Sequence, residues 1–213
     1  PGAFEINADH RGFDGSFDIS GVDVELQHRF GLPAGDTVIN EGATLRLEVN
    51  RAIGNVILNG GQIEFAGDFQ FDGSLVNASA LEPGNSPGTL TVNGSYAQRP
   101  GGRLVIELVD KWLLESTYEQ ESDLVHVGGT MSLDGLLEIR LLHDFMPTAD
   151  LSYTILEASS IEGMFSNTRD GRIYFDEGSF AISYNSKTVV ISDFQVPEPT
   201  SAIVLGLAGL ALL

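Results

Sequence analysis

Apolar and polar residues alternate in short runs along much of the chain. Clear examples are residues 22–26, 44–49 and 62–65, where apolar side chains recur at every second position. On an extended strand, residues two apart share a face, so each run buries one face and leaves the other in water. Helical periodicity is almost absent. The pattern therefore predicts an all-β fold made of short, half-buried strands.

The runs are separated by corners rich in Gly, Asn and Asp, as at residues 40–42, 59–61 and 71–73. Runs about ten or fewer residues apart are also typical of β-sandwiches, so the spacing alone leaves the architecture open. Two-residue hairpin turns are scarce, although Asn59-Gly60 is one candidate. The repeated strand and corner favour a parallel β-helix (solenoid), whose stacked coils bury apolar ladders. The residues expected in these ladders are Leu45, Leu47, Ile63, Phe65, Leu90 and Val92.

The lengths of the predicted strands divide the β part of the chain into two regions. Residues 1–122 carry the short runs and are predicted to form the solenoid coils. Longer strands are expected within residues 123–195, which form either the end of the solenoid or a C-terminal β cap, with antiparallel pairing left open.

The middle of the chain contains LEPGNSPGTLTVNGSY at residues 81–96, GRLVIEL at 102–108 and SDLVHVGG at 122–129. These segments resemble the passenger regions of autotransporters and related exoproteins. The resemblance covers about residues 75–165. It implies a right-handed β-helix in which this corner and coil stabilise the C-terminal end, and it does not imply self-translocation. Gly84 and Gly88 would supply permissive backbone angles, so we expect a positive φ at Gly88.

The C-terminal region differs from the rest of the chain. A Pro-containing segment at residues 196–201 precedes an unbroken apolar run at residues 202–213. The prolines separate this run from the β region, and as a helix it would be about 18 Å long, against about 30 Å of bilayer hydrocarbon. We predict a linker followed by a truncated transmembrane or anchor helix, in a fragment trimmed at both ends. A buried terminal helix is the alternative.

This region resembles the PEP-CTERM sorting signal of exported bacterial proteins, which combines a Pro-Glu-Pro motif, a transmembrane helix and an Arg-rich end. Pro197, Glu198 and Pro199 match the motif, and the Arg-rich end is absent. The resemblance implies processing by an exosortase-type sorting enzyme that reads Val196 to Pro199. It also implies membrane contact through the C-terminal helix, and a location in the cell envelope, at the cell surface or outside the cell.

The amino-acid composition argues against several classes of function. The net charge is −19, from 11 Lys and Arg against 30 Asp and Glu, which argues against nucleic acid as a partner. The absence of cysteine excludes disulfides, thiolate metal sites and a cysteine nucleophile.

Candidate chemistry is sparse. His10, His28, His126 and His143 are widely separated, and none has a second His or a carboxylate at i+4. Asp123 lies near His126, but residues three apart on a strand face opposite sides, so no dyad is expected. We therefore predict no catalytic, metal-binding or cofactor-binding residues.

Four outward carboxylates are the main candidates for an enzymatic site on a β-helix: Glu25, Glu48, Glu64 and Asp68. Acidic residues on the outer face of a sheet also keep that face hydrated, and a column of like charges would repel. Residues 110–122, with Trp112, form either a carbohydrate-contact patch or a short amphipathic helix.

These features predict a non-enzymatic surface or extracellular-matrix protein that acts in adhesion or as a structural spacer. An extracellular polysaccharide is a candidate partner. The alternative is a carbohydrate-binding or polysaccharide-degrading β-helix protein. An enzyme of that kind should show a groove lined by three or more carboxylates together with Arg or Lys, whereas a spacer should show only scattered charge.

Overall fold

A computed structural model describes residues 3–84, 87–110 and 122–197 of the chain. Within these ranges all regular structure is β, which confirms the predicted all-β class, and none of the described residues is helical. The strands are β1 Phe4–Ile6, β2 Phe17–Ile19, β3 Asp23–Leu26, β4 Asp36–Asn40, β5 Thr44–Leu47, β6 Arg51–Ala52, β7 Asn55–Asn59, β8 Gln62–Phe65, β9 Phe69–Phe71, β10 Leu75–Asn77, β11 Ala80–Leu81, β12 Thr89–Val92, β13 Tyr96–Gln98, β14 Arg103–Leu108, β15 Leu124–Leu133, β16 Leu136–Leu141, β17 Ser152–Gly163, β18 Arg172–Phe175, β19 Gly178–Tyr184 and β20 Thr188–Gln195.

Most strands pair in parallel with a strand that lies two or three strands further along the chain. The first sheet has the order β1-β3-β5-β8, and the third has the order β11-β14-β16. The second sheet runs in parallel through β2-β4-β7-β10-β13-β15-β17, and β6, β9 and β12 form a further parallel row that joins β15. Parallel pairing of this kind requires a long crossover between partners, which here consists of other strands.

Side chains in register form apolar columns inside the molecule. In the first sheet Val24 pairs with Leu45 and Leu45 pairs with Ile63. In the second sheet Val56, Leu75, Tyr96 and Met131 follow one another in a buried column. Burial confirms the predicted ladder residues Leu45, Leu47, Ile63, Leu90 and Val92, and Phe65 is partly buried and packs against the same core.

The C-terminal strands change the pairing direction. β17 pairs in parallel with β15 on one side and antiparallel with β20 on the other. β18, β19 and β20 then pair antiparallel in sequence order. Aromatic rings cover this end: Phe180 lies 5.9 Å from Phe175 and 5.1 Å from Phe194 between ring centroids. The antiparallel strands thus bury apolar surface that the last parallel strand would otherwise expose.

Two corner predictions need correction. Asn59-Gly60 does not form a hairpin turn, because the flanking strands β7 and β8 belong to different sheets. Gly60, with φ at 87°, instead turns the chain from one sheet to the next. The permissive angle expected at Gly84 is confirmed, with φ at 67°, whereas Gly88 is not among the described glycines with a positive φ. A Cβ on Gly84 would collide with the Gly88 backbone, so the tight turn lies at the first glycine.

Candidate functional site

The structure describes the first two of the predicted sorting residues. Val196 and Pro197 follow β20 directly and are exposed, with 60% of Val196 accessible, whereas Phe194 is buried. Glu198, Pro199 and the predicted helix at residues 202–213 lie outside the described residues, as does Trp112. In the parts that the structure describes, no helix is long and apolar enough to cross a membrane.

Asp123 and His126 face opposite sides of the sheet, as predicted. His126 is exposed, and its Nδ1 lies 3.4 Å from Glu157 Oε2. Asp123 is buried; its Oδ1 accepts the Gly88 N–H at 2.7 Å and its Oδ2 accepts the Glu107 N–H at 2.8 Å. Burial raises the pKa of the Asp123 carboxyl to about 7, although these two donors act in the opposite direction. Asp123 is therefore a structural carboxylate.

The four outward carboxylates do not form one cluster. Glu25 and Glu64 lie in the same row of the first sheet, but Arg46 lies between them. The Arg46 guanidinium is 2.8 Å from Glu64 and 3.1 Å from Asp23. Such alternation of charge across strands stabilises the sheet face and does not create a catalytic pair.

Glu48 and Asp68 lie elsewhere. Glu48 is exposed beyond the end of β5. Asp68 precedes β9, and its Oδ1 accepts the Thr89 N–H at 2.7 Å. Within the described ranges, no group of three or more His, Asp or Glu side chains is arranged to hold a metal ion.

A groove of about 400 Å³ lies on the outer face of β16. Period-2 alternation directs Glu138 and Arg140 outward, while Leu137 and Ile139 enter the core. Arg103 on the neighbouring β14 completes the floor, and its Nη1 donates to Glu138 Oε2 at 2.7 Å. We call this site the β16 groove.

The hairpin of β18 and β19 forms the wall of the β16 groove. Tyr174, Phe175, Asp176 and Glu177 line it, and 54% of Tyr174 is exposed. Asp176 and Glu177 form the turn between the two strands. Among the described residues, neither carboxylate has a cationic partner.

Asn167 joins the wall to the floor. Its Nδ2 donates to the Leu137 carbonyl at 2.8 Å, and its Oδ1 accepts the Leu137 N–H at 3.1 Å. The amide thus pairs with β16 as a neighbouring strand would, and it satisfies backbone groups at a free sheet edge.

Arg140 is the centre of an ion-pair network beneath the groove. Its guanidinium contacts Glu107 at 3.0 Å, Glu82 at 3.2 Å and Glu138 at 3.3 Å. Glu107 is only 5% exposed and lies opposite Arg140 in the register of β14 and β16. The hydrogen bonds that Arg140 donates to Glu82, followed by the one that it donates to Glu107, raise its pKa above the ordinary value. The floor is therefore held in a defined geometry by several charges.

The network contains charged residues that sequence reasoning did not single out. Alternation along residues 103–108 and 136–141 could have predicted that the charged side chains in these two segments lie on the outer face. It could not predict that they contact one another, because Arg140 and Glu82 are 58 positions apart and Arg103 and Glu138 are 35 positions apart.

No protein-family model matches this chain, and no curated protein sequence matches it. The β16 groove is therefore interpreted from its own geometry and charge.

Proposed function

We propose that the chain is a non-enzymatic exported protein of the cell surface or extracellular matrix, and that its parallel strands form a right-handed β-helix. The supporting observation is the regular register of the parallel rows. Phe4 pairs with Val24, Val24 with Leu45, and Leu45 with Ile63, at separations of 20, 21 and 18 residues. One coil of a β-helix has about this length.

Such a stack suits a structural spacer. Its backbone hydrogen bonds run between successive coils, and polar ladders reinforce the corners. The Asn40 Nδ2 donates to Asp18 at 2.7 Å, and the Asn59 Nδ2 donates to Asn40 at 2.7 Å. Asn93 repeats the arrangement with Asp72 at 2.7 Å. The net charge of −19 keeps such a body soluble outside the cell.

The C-terminal region would direct this body to the envelope. Val196 and Pro197 leave the buried end of β20 in an exposed segment, where an exosortase-type enzyme has access to the peptide backbone. Glu198 and Pro199 complete the motif, and residues 202–213 supply the membrane contact in this proposal.

The alternative function is hydrolysis of a polysaccharide. It requires two carboxyl groups on opposite sides of the scissile bond, one of them protonated to act as the general acid. The β16 groove has three carboxylates and two arginines in its lining, which is the composition expected for such an enzyme. However, Glu138 accepts hydrogen bonds from both Arg103 and Arg140. Each of its oxygens therefore already accepts one hydrogen bond from a guanidinium group and keeps the capacity for another, and Asp176 and Glu177 are consecutive residues of one turn, an arrangement suited to binding more than to proton transfer.

The sorting part of the proposal is tested in cells that carry the exosortase-type enzyme, with a longer apolar helix and an Arg-rich end added after residue 213. Wild-type protein should fractionate with the envelope in processed form. Glu198→Ala should accumulate as a larger, unprocessed form on an immunoblot, whereas Glu41→Ala, at an exposed corner, should be processed normally. Normal processing of the Glu198 variant would refute the proposed motif.

A further inference from the structure

Tyr174 presents an aromatic ring to solvent beside the β16 groove. The residue is 54% exposed, and the strand that carries it pairs antiparallel with β19. Tyr174 pairs with Ser179 in the hairpin, and the preceding Ile173 is fully buried. The adjacent Phe175 stacks on Phe180 with an interplanar angle of 13°. The hairpin therefore fixes the backbone of Tyr174 beside the groove, so that only its side-chain rotamer remains to be ordered when a ligand binds.

The groove floor offers donors and acceptors side by side. Arg103 donates one guanidinium N–H to Glu138 and presents its others to the groove, and Glu138 presents carboxylate acceptors, whereas the Nη–H groups of Arg140 already bind Glu82, Glu107 and Glu138. Hydroxyl groups both donate and accept hydrogen bonds, so a polyhydroxylated ligand can use both kinds of group. The apolar C–H face of a pyranose ring fits an aromatic face such as that of Tyr174. A Lys-rich peptide would use only the acceptors.

The charge around the groove limits the class of sugar. Glu138, Asp176 and Glu177 line it with two arginines, and Glu82 and Glu107 adjoin it. The net charge of these side chains is negative, and the net charge of the whole chain is −19. Uronic-acid polysaccharides would be repelled. An ammonium group would be attracted by Asp176 and Glu177, which have no cationic partner among the described residues.

We propose that the β16 groove binds a short segment of an amino-sugar polysaccharide. One pyranose ring stacks on Tyr174, its hydroxyl groups bind Arg103 and Glu138, and an amino group pairs with Asp176 or Glu177. The volume of about 400 Å³ is in the lower part of the range for ligand sites, which suits a short segment. This inference rests on the proposed extracellular role and names the matrix component that the protein would hold.

Calorimetric titration of the purified full chain tests the proposal with three hexasaccharides: glucosamine, N-acetylglucosamine and galacturonate. The glucosamine hexamer should bind most tightly, the N-acetylated hexamer more weakly, and the galacturonate hexamer without detectable affinity. Tyr174→Ala should weaken binding of the first two by about tenfold, a loss typical of one aromatic contact. Tyr174→Phe should retain the affinity. Phe4→Ala, which removes an exposed ring on β1, is the matched control and should bind like the wild type.

The double variant Asp176→Asn, Glu177→Gln should lose the preference for glucosamine over N-acetylglucosamine while it still binds both. A hexalysine peptide serves as a second probe. If hexalysine binds as tightly as the glucosamine hexamer, or if Tyr174→Ala binds like the wild type, the sugar assignment is overturned. Absence of binding to every hexasaccharide also overturns it. These results concern the groove alone, whereas failure of the extracellular proposal would appear in cell fractionation.

Discussion

At the scale of single residues, Asp123 shows how one buried carboxylate organises three segments. It precedes β15, binds the N–H of Gly88 before β12, and binds the N–H of Glu107 in β14. Each of those N–H groups would otherwise lack an acceptor in the interior, where an unsatisfied donor costs about 1–3 kcal/mol.

The raised pKa of Asp123 predicts a specific pH dependence. The carboxyl pKa is about 7 in the folded protein against an ordinary 3.8, so the folded state retains the proton between these values. The stabilising contribution is complete below about pH 4 and is lost as the pH rises to about 7, with an upper limit of about 4 kcal/mol. Asp123→Asn removes the titrating group, although its Nδ2 cannot accept one of the two N–H groups, so the variant should be less stable at pH 4 but should show a flatter fall in unfolding free energy over this range.

Urea unfolding at half-unit steps from pH 4 to 8 measures this effect. Asp14→Asn, at an exposed position, controls for the removal of one negative charge from the acidic chain. Parallel pH profiles for the wild type and the Asp123 variant would contradict the assignment of the slope to this carboxyl group.

At the scale of elements, the alternation of residues identified the strands, and the corners decided their partners. The hydrophobic pattern of residues 44–47 and 62–65 correctly predicts strands with buried Leu45, Leu47 and Ile63. It does not show whether the next strand folds back or crosses to another sheet, because both arrangements bury the same face. The error at Asn59-Gly60 has this cause, since the turn residues suit a hairpin and a corner equally.

Phe71 provides a test of how much one buried apolar column contributes to the stability of the fold. It is fully buried on β9, pairs in register with Val92, and meets Phe69 at 4.7 Å between ring centroids. Phe71→Ala should lower the unfolding free energy by about 3–5 kcal/mol, because it removes buried area and leaves a cavity. Phe71→Leu should cost about 1.5 kcal/mol or less if the column repacks.

The measurement is the urea midpoint at constant m-value, with Phe4→Ala as the exposed control, which should stay within about 0.5 kcal/mol of the wild type. A change at Phe71 no larger than that of the control would show that the column contributes little to stability.

At the scale of the whole molecule, the antiparallel strands β18–β20 complete the apolar core, and the two described residues that follow Gln195 lie outside it. Phe180, Val189 and Ile191 are buried with the parallel strands in one continuous cluster. Val196 and Pro197 are exposed. We therefore expect residues 196–213 to contribute little to the stability of the β body.

Deletion of residues 196–213 should leave the β-type circular dichroism spectrum and the urea midpoint unchanged. Deletion of residues 172–213 should abolish cooperative unfolding, because it removes β18–β20 and uncovers Tyr153 and Leu156 on β17. If the shorter deletion alone unfolds the protein, the apolar run is a buried terminal helix and the sorting interpretation loses its basis.

The sequence by itself determined the all-β class, the inward positions of the strands and the glycine corner at Gly84. These properties follow from local rules: a period of two and glycine-rich corners. Only the tertiary structure decided the strand order and the β16 groove. Arg140 gathers Glu82, Glu107 and Glu138 through the register of stacked strands, and that register depends on which strands become neighbours, a contact between distant segments that no local pattern encodes.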